Sequence, residues 1–185
     1  MKELALHILD LVQNSITADA DLIKLTINES LTSDILTITL EDNGCGMDAV
    51  QAEEVKDPFV TSRTSRKVGL GIPLMLAACQ RCEGNLLIES KINVGTKLIC
   101  TFKHSHIDRA PIGNMAETMV CLLIGADNID FIYNHIIDQE EFCFDTREIR
   151  QALGEEVALS SPEVLDWVKD YINEGLSNLR GGVVK

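Results

Sequence analysis

Residues 35–47 read ILTITLEDNGCGM, and the way this stretch alternates and then stops decides the fold. Leu36, Ile38, Leu40 and Asp42 share one face of an extended strand, while Thr37, Thr39 and Glu41 share the other. A carboxylate therefore falls on the apolar side at the last strand position, where it needs a partner. Asn43-Gly44-Cys45-Gly46 turns the chain at once, and its two glycines let a flat group approach the backbone. Asp42 can meet an external N–H donor there, or cap the N–H groups of its own turn.

Working outward, residues 22–28 (LIKLTIN) repeat the period-two pattern, and the polar stretch Glu29–Asp34 joins the two strands. Ahead of them, Leu4, Ile8, Leu11, Val12, Ser15 and Ile16 form one stripe of a helix over 2–18. Downstream, 48–68 reads as a short helix and a polar loop. Residues 69–82 form a second helix, with Pro73 tolerated in its first turn, and strands follow near 85–91 and 94–103. This order predicts an α+β sandwich with helices on one face of a mixed β-sheet. Ser105–Gly113 reads as a linker. A small α/β extension follows it: a helix over 114–125, a hairpin over 129–145, a short helix over 146–153 and a last helix over 162–179. Ser161 is the expected N-cap of that last helix.

Several residues carry possible chemistry. Asp10 and Asn14 are four apart and point the same way, a pair able to hold a hard cation and orient a water, or simply two solvated polar groups. Parity puts the Thr96 hydroxyl on the inner face with Leu98, Cys100 and Phe102, free for a ligand or for backbone. Gly69-Leu70-Gly71 opens a helix, and exposed N–H groups there suit an anion, although a lone G-x-G is usually only a turn. Thr61–Lys67 precedes it with four hydroxyls and the cations Arg63, Arg66 and Lys67, a fitting composition for a lid over phosphates. An adenine amino group is a suitable donor for Asp42. Cys79-x-x-Cys82 has no second pair at metal-ligand spacing and reads as helix packing.

Taken together, Asp10…Asn14, Asp42-Asn43-Gly44-Cys45-Gly46-Met47, Pro58-Phe59, Gly69-Leu70-Gly71 and Gly95-Thr96 resemble, in order and spacing, the histidine-kinase-like ATPases of the gyrase, heat-shock chaperone, histidine kinase and MutL superfamily. The resemblance covers about residues 1–103. It implies a Bergerat-type ATP-binding fold with ATP and Mg2+ as ligands. It makes Asn14 the magnesium-binding asparagine and Asp10 the general base, one methylene shorter than the glutamate usual in the ATPase branches. By the same likeness Asp42 receives the adenine amino group, Gly44, Gly46 and Met47 line the base, and Thr96 lies near it. Gly69, Leu70 and Gly71 resemble the phosphate-side box. Arg63 and Lys67, by the composition of the polar stretch before it, are the cations expected to reach the phosphates.

Composition narrows the function. The 185 residues carry a net charge of −13. Ten basic residues stand against 14 acidic up to residue 103, and six against 15 beyond it, so the extension is the more acidic part. Such a surface repels a phosphate backbone, which disfavours nucleic-acid binding and with it a MutL- or gyrase-like role. No apolar run is long enough to span a membrane. The opening MKELALHILDLVQNS lacks the pattern of a signal peptide, and the cysteines suit a reduced, cytoplasmic setting. The helical hairpin that bears a sensor kinase's phosphoacceptor histidine is not expected in this sequence, and His7 reads as a helix-flank residue. The resulting expectation is a nucleotide domain over 1–104 and a separable partner-binding extension over 105–185. The whole would phosphorylate or sequester a separate protein partner, in the manner of the anti-sigma-type kinases, or act as a nucleotide-gated switch.

Overall fold

A computed structural model describes residues 2–57, 70–126, 128–154 and 157–182. Helix α1 (Leu4–Thr17) leads into strands β1 (Leu22–Ser30) and β2 (Ile35–Asp42), then the short helix α2 (Ala49–Glu54), α3 (Gly71–Arg81), β3 (Leu86–Lys91) and β4 (Gly95–Lys103). Beyond these lie α4 (Met115–Gly125), the hairpin β5 (Asp130–Ile137) and β6 (Glu140–Asp145), α5 (Thr146–Leu153) and α6 (Pro162–Gly182). The six strands form one sheet in the order β3-β4-β2-β1-β5-β6. Among the described residues only the β1–β5 ladder is parallel, so the sheet is mixed.

The alternation read from β1 and β2 sorts the two faces. Ile23, Leu25, Ile27, Leu36, Ile38 and Leu40 are buried under a layer made by α1, α3, α4 and α6. Lys24, Thr26, Thr37 and Thr39 lie on the opposite, partly open face. The α1 stripe, with Leu4, Ile8, Leu11 and Val12 each at 1 % exposure, supplies the centre of the layer.

The stretch expected to be a linker is tied down. α1 has no side-chain N-cap, and its first N–H groups are met instead by the linker, Leu4 N donating to Pro111 O (2.9 Å) and Ala5 N to Ile112 O (2.8 Å). Past it, β5 pairs with β1 from Leu22↔Asp130 to Glu29↔Ile137, so residues 105–182 extend the same sheet and the same core as residues 2–104.

At the far end of β1 the buried face carries a carboxylate. Glu29 Oε1 lies 2.8 Å from His135 Nε2 and Oε2 lies 2.9 Å from His104 Nε2, while Tyr133 Oη lies 2.7 Å from His135 Nδ1. Burial alone would raise the Glu29 carboxyl, but the hydrogen bonds from His135 and then His104 outweigh it and hold it at about 2. Tyr133 is shifted the other way, upward, by burial and by the neighbouring Glu29 charge.

Two expectations need correction. Ser161 does not cap α6 through its side chain, because its Oγ is buried without a partner and only its carbonyl receives Leu165 N. His7 is not on the helix flank but buried, and burial, followed by the amino-terminal charge, lowers its pKa. Cys79 and Cys82 are both buried, as the packing reading requires. Contact with Cys79, and then burial, pushes the Cys100 thiol well up, and burial raises Cys82. Cys121 and Cys143 are exposed.

Candidate functional site

β2 ends as its alternation dictates, with Asp42 on the helix-covered side and paired in register with Thr96 of β4. Asp42 Oδ1 receives Gly44 N at 3.0 Å and Thr96 N at 3.3 Å; Oδ2 receives Ser15 Oγ at 2.6 Å. The carboxylate therefore caps its own turn and also keeps capacity on Oδ2 for one more donor. Ser15 is the residue that the helical stripe concealed. It reads as a small member of an apolar face, yet its hydroxyl fixes the Asp42 rotamer from α1.

The turn after Asp42 is stapled on both sides. Cys45 N donates to Ala18 O (2.8 Å), Asn93 N donates to Cys45 O (2.8 Å), and Met47 N donates to Ser90 Oγ (2.8 Å). Ser90 Oγ in turn donates to Gly95 O (3.1 Å) and lies 2.9 Å from Thr96 Oγ1. Thr96 thus uses its hydroxyl on Ser90, a residue that sequence reading did not single out. Asn43 is structural: its Oδ1 receives Asp21 N and Leu22 N and starts β1.

At two glycines the fold itself already forbids a side chain. Gly46 has φ +63, and a Cβ there would lie 2.0 Å from Lys91 O. Gly95 has φ +130, and its Cβ would lie 1.9 Å from Asp42 O. Backbone against backbone, before any ligand, demands glycine at both positions.

On the other flank, α3 begins at Gly71 with no acidic residue in its first turn, and among the described residues no side chain caps its N-terminal N–H groups, the kind of group that receives an anion. A Cβ on Gly71 would lie 3.0 Å from Asp10 Cβ, which puts the start of α3 directly against the Asp10 turn of α1. Asp10 itself is exposed. One turn on, Asn14 Nδ2 is buried without a protein partner, an amide left available at the same cleft. Leu70 offers only backbone there, since its side chain is 58 % exposed. Arg63, Lys67 and Gly69, with Pro58, Phe59 and Arg66, lie outside the described residues.

Asp10, Asn14, Ser15, Asp42, Met47, Thr96 and the start of α3 thus converge at one end of the sheet. Among the described residues no three His, Cys, Asp or Glu side chains are grouped to hold a metal, and no helix is long and apolar enough to cross a membrane.

Comparison with known proteins bears on the family and the fold. A protein of Shewanella frigidimarina (strain NCIMB 400), provisionally named a sensor protein, is 27 % identical over 79 residues; the match covers 42 % of this chain and only 12 % of that relative's length. Among solved structures, the N-terminal domain of a DNA repair protein superposes with a TM-score of 0.54 at 16 % identity, covering 84 % of this chain and 58 % of that one. The Aquifex aeolicus MutL ATPase domain complexed with ADP gives 0.47 at 12 % identity, covering 83 % and 69 %. Residues 2–106, more than half of the chain and the span that holds every converging side chain above, match the family described as histidine kinase-, DNA gyrase B-, and HSP90-like ATPase, and the protein belongs to that family.

Proposed function

We propose that this chain binds Mg-ATP between α1, the Asp42 turn and the start of α3, and uses it to phosphorylate or sequester a separate protein. The observation that carries the reading is the Asp42 carboxylate, pinned by Ser15, Gly44 and Thr96 yet retaining acceptor capacity for an adenine amino group. Gly44, Gly46 and Met47 would lie along the base. The open N-terminus of α3 would face the phosphates, with Gly69, Arg63 and Lys67 as further contacts. Asn14 would hold the magnesium ion through its amide oxygen, while its buried Nδ2, which has no protein partner, is free to donate to a ligand oxygen; the ion would neutralise phosphate charge when bound. Net charge of −13 argues against nucleic acid as the partner, and the reduced-thiol reading supports a cytoplasmic setting.

Asp10 is the candidate base. It abuts the start of α3 and is exposed, so an incoming side chain can reach it. Its carboxylate would accept the proton of an attacking hydroxyl or imidazole, or orient that group. Its short reach suits a bulky nucleophile better than water. The same shortness favours a second reading, a nucleotide-gated switch with negligible chemistry. Incubation with γ-labelled ATP and candidate partner proteins separates the two: label on a partner supports the kinase, and binding without transfer supports the switch. In the first case Asp10→Asn is expected to lower transfer about a hundredfold or more with little loss of ATP affinity. A variant that loses affinity but keeps its rate per bound nucleotide would remove Asp10 from the chemistry.

A further inference from the structure

The half of the sheet remote from the nucleotide cleft carries a second concavity. A groove of about 480 Å³ opens between β6, α5 and α6. Three consecutive strand residues, Cys143, Phe144 and Asp145, line it. Neighbouring strand side chains point to opposite faces, so three in a row can border one groove only along the strand's free edge. β6 ends the sheet order, so that edge has no strand beyond it among the described residues.

The floor is apolar and aromatic. Trp167 stacks on Tyr171 with ring centroids 5.0 Å apart, and Tyr171 in turn meets Phe144 at 6.4 Å. Trp167 is still 51 % exposed and Leu153 on the opposite wall 36 %. The rim is acidic. Glu148 of α5 and Glu163 of α6 border the groove and are exposed. The arginines of α5 offset them only in part: Arg147 is engaged first by Asp145 and more weakly by Glu148, and Arg150 by Asp130. Asp166 and Asp170 on α6 are exposed too, with Lys169 between them paired to Glu117.

From this we infer that the groove docks an extended cationic segment of a protein partner, in which a large apolar residue lies between lysines or arginines. The apolar residue fills the space beside Trp167, the flanking cations meet Glu148 and Glu163, and the segment's backbone lies along the free edge of β6. A second copy of the chain fits poorly, since its own net charge of −13 would meet an acidic rim. The inference rests on the proposal that this protein acts on another, but its test needs no nucleotide, so the two fail separately.

Trp167 is the single tryptophan of the chain and reports on the groove directly. The full-length protein is titrated with a fluorescein-labelled nine-residue peptide of alternating Lys and Val centred on one Phe, with a Glu-for-Lys version, and with a version in which Ser replaces Val and Phe. Each unlabelled peptide is run in parallel for Trp167 emission. The Lys/Val/Phe peptide is expected to bind saturably and shift Trp167 emission to shorter wavelength, and the other two to do neither. Leu153→Asp, and separately the exposed pair Glu148→Lys with Glu163→Lys, are expected to weaken it at least about tenfold while ATP affinity stays unchanged. Equal binding by the Lys/Ser peptide, an unmoved Trp167 spectrum, or undiminished affinity in both variants would mean general attraction to an acidic protein and would overturn the inference.

Discussion

The two ends of the sheet solve the problem of close packing in opposite ways. At the β2–β4 end, small residues and polar groups do the work: Gly46 and Gly95 let backbones touch, and Ser15, Asp42, Ser90 and Thr96 form a hydrogen-bonded cluster. At the β5–β6 end, aromatic rings fill the space. Phe131, Tyr133 and Phe144 are buried, Phe142 packs edge to face on Tyr133, and Tyr171 meets Phe142 and Phe144 at a tilt. Only Phe59 and Phe102 lie in the first 104 residues, so six of the chain's eight aromatics serve the other end. A site that must admit a ligand is built from groups that hold positions without filling volume; the end that must hold the sheet together is built from volume.

The most severe way to break this comparison is to separate the ends. Read as two units, the chain should keep nucleotide binding after removal of residues 105–185. The shared sheet predicts otherwise, because β1 would lose its β5 ladder and α1 would lose the Pro111 and Ile112 carbonyls that meet its first N–H groups. The truncated chain is expected to be insoluble or without a cooperative melting transition; a soluble fragment that binds ATP normally would restore the two-unit view. Next in size is Phe144→Ala, expected to lower unfolding free energy in urea by about 3–5 kcal/mol while ATP affinity of the folded fraction stays constant. Asp42→Asn should do the reverse. It is expected to cost about 1.5–3 kcal/mol of nucleotide binding, tenfold to hundredfold by calorimetry, with the melting profile little changed.

The smallest effect is one of pH. Glu29 is held at about 2 in the folded chain, below its ordinary value of 4.5. Its contribution to stability is therefore complete above 4.5 and lost as pH falls towards 2. Glu29→Gln should flatten that part of the stability profile relative to the parent. An identical slope in both proteins would show that the other depressed carboxylates, Asp34 and Asp145, account for the acid limb.

What the sequence disclosed and what it hid follow from the range of the interactions involved. Period-two alternation placed Asp42 and Thr96 on one face, and helical spacing aligned Asp10 with Asn14, because both signals are local. The element order came through for the same reason, to within a few residues at each boundary. The parallel joining of β5 to β1 left no local mark, since nothing in residues 130–137 names a partner a hundred residues upstream. Glu29, His104 and His135 were unreadable individually for that reason; each looks like an ordinary polar residue until the ladder brings them together. Ser15 was hidden differently. A small polar residue on an apolar stripe looks like packing, and only the position of the Asp42 side chain reveals its task.

The β1–β5 ladder also fixes a sequence of events during synthesis. Glu29 and His135 are separated by 106 residues. At roughly 5–20 residues per second, the ribosome needs about 5–20 s to deliver that separation. Throughout that interval β1 is paired on one side only, with Ile23, Leu25 and Ile27 on the face that the later helices α4 and α6 help to cover. Pairing across so long a separation is slow even once both strands exist. The nascent nucleotide domain therefore passes through a period in which it is most open to misassociation, and its burden on the folding machinery is set by residues that take no part in holding ATP.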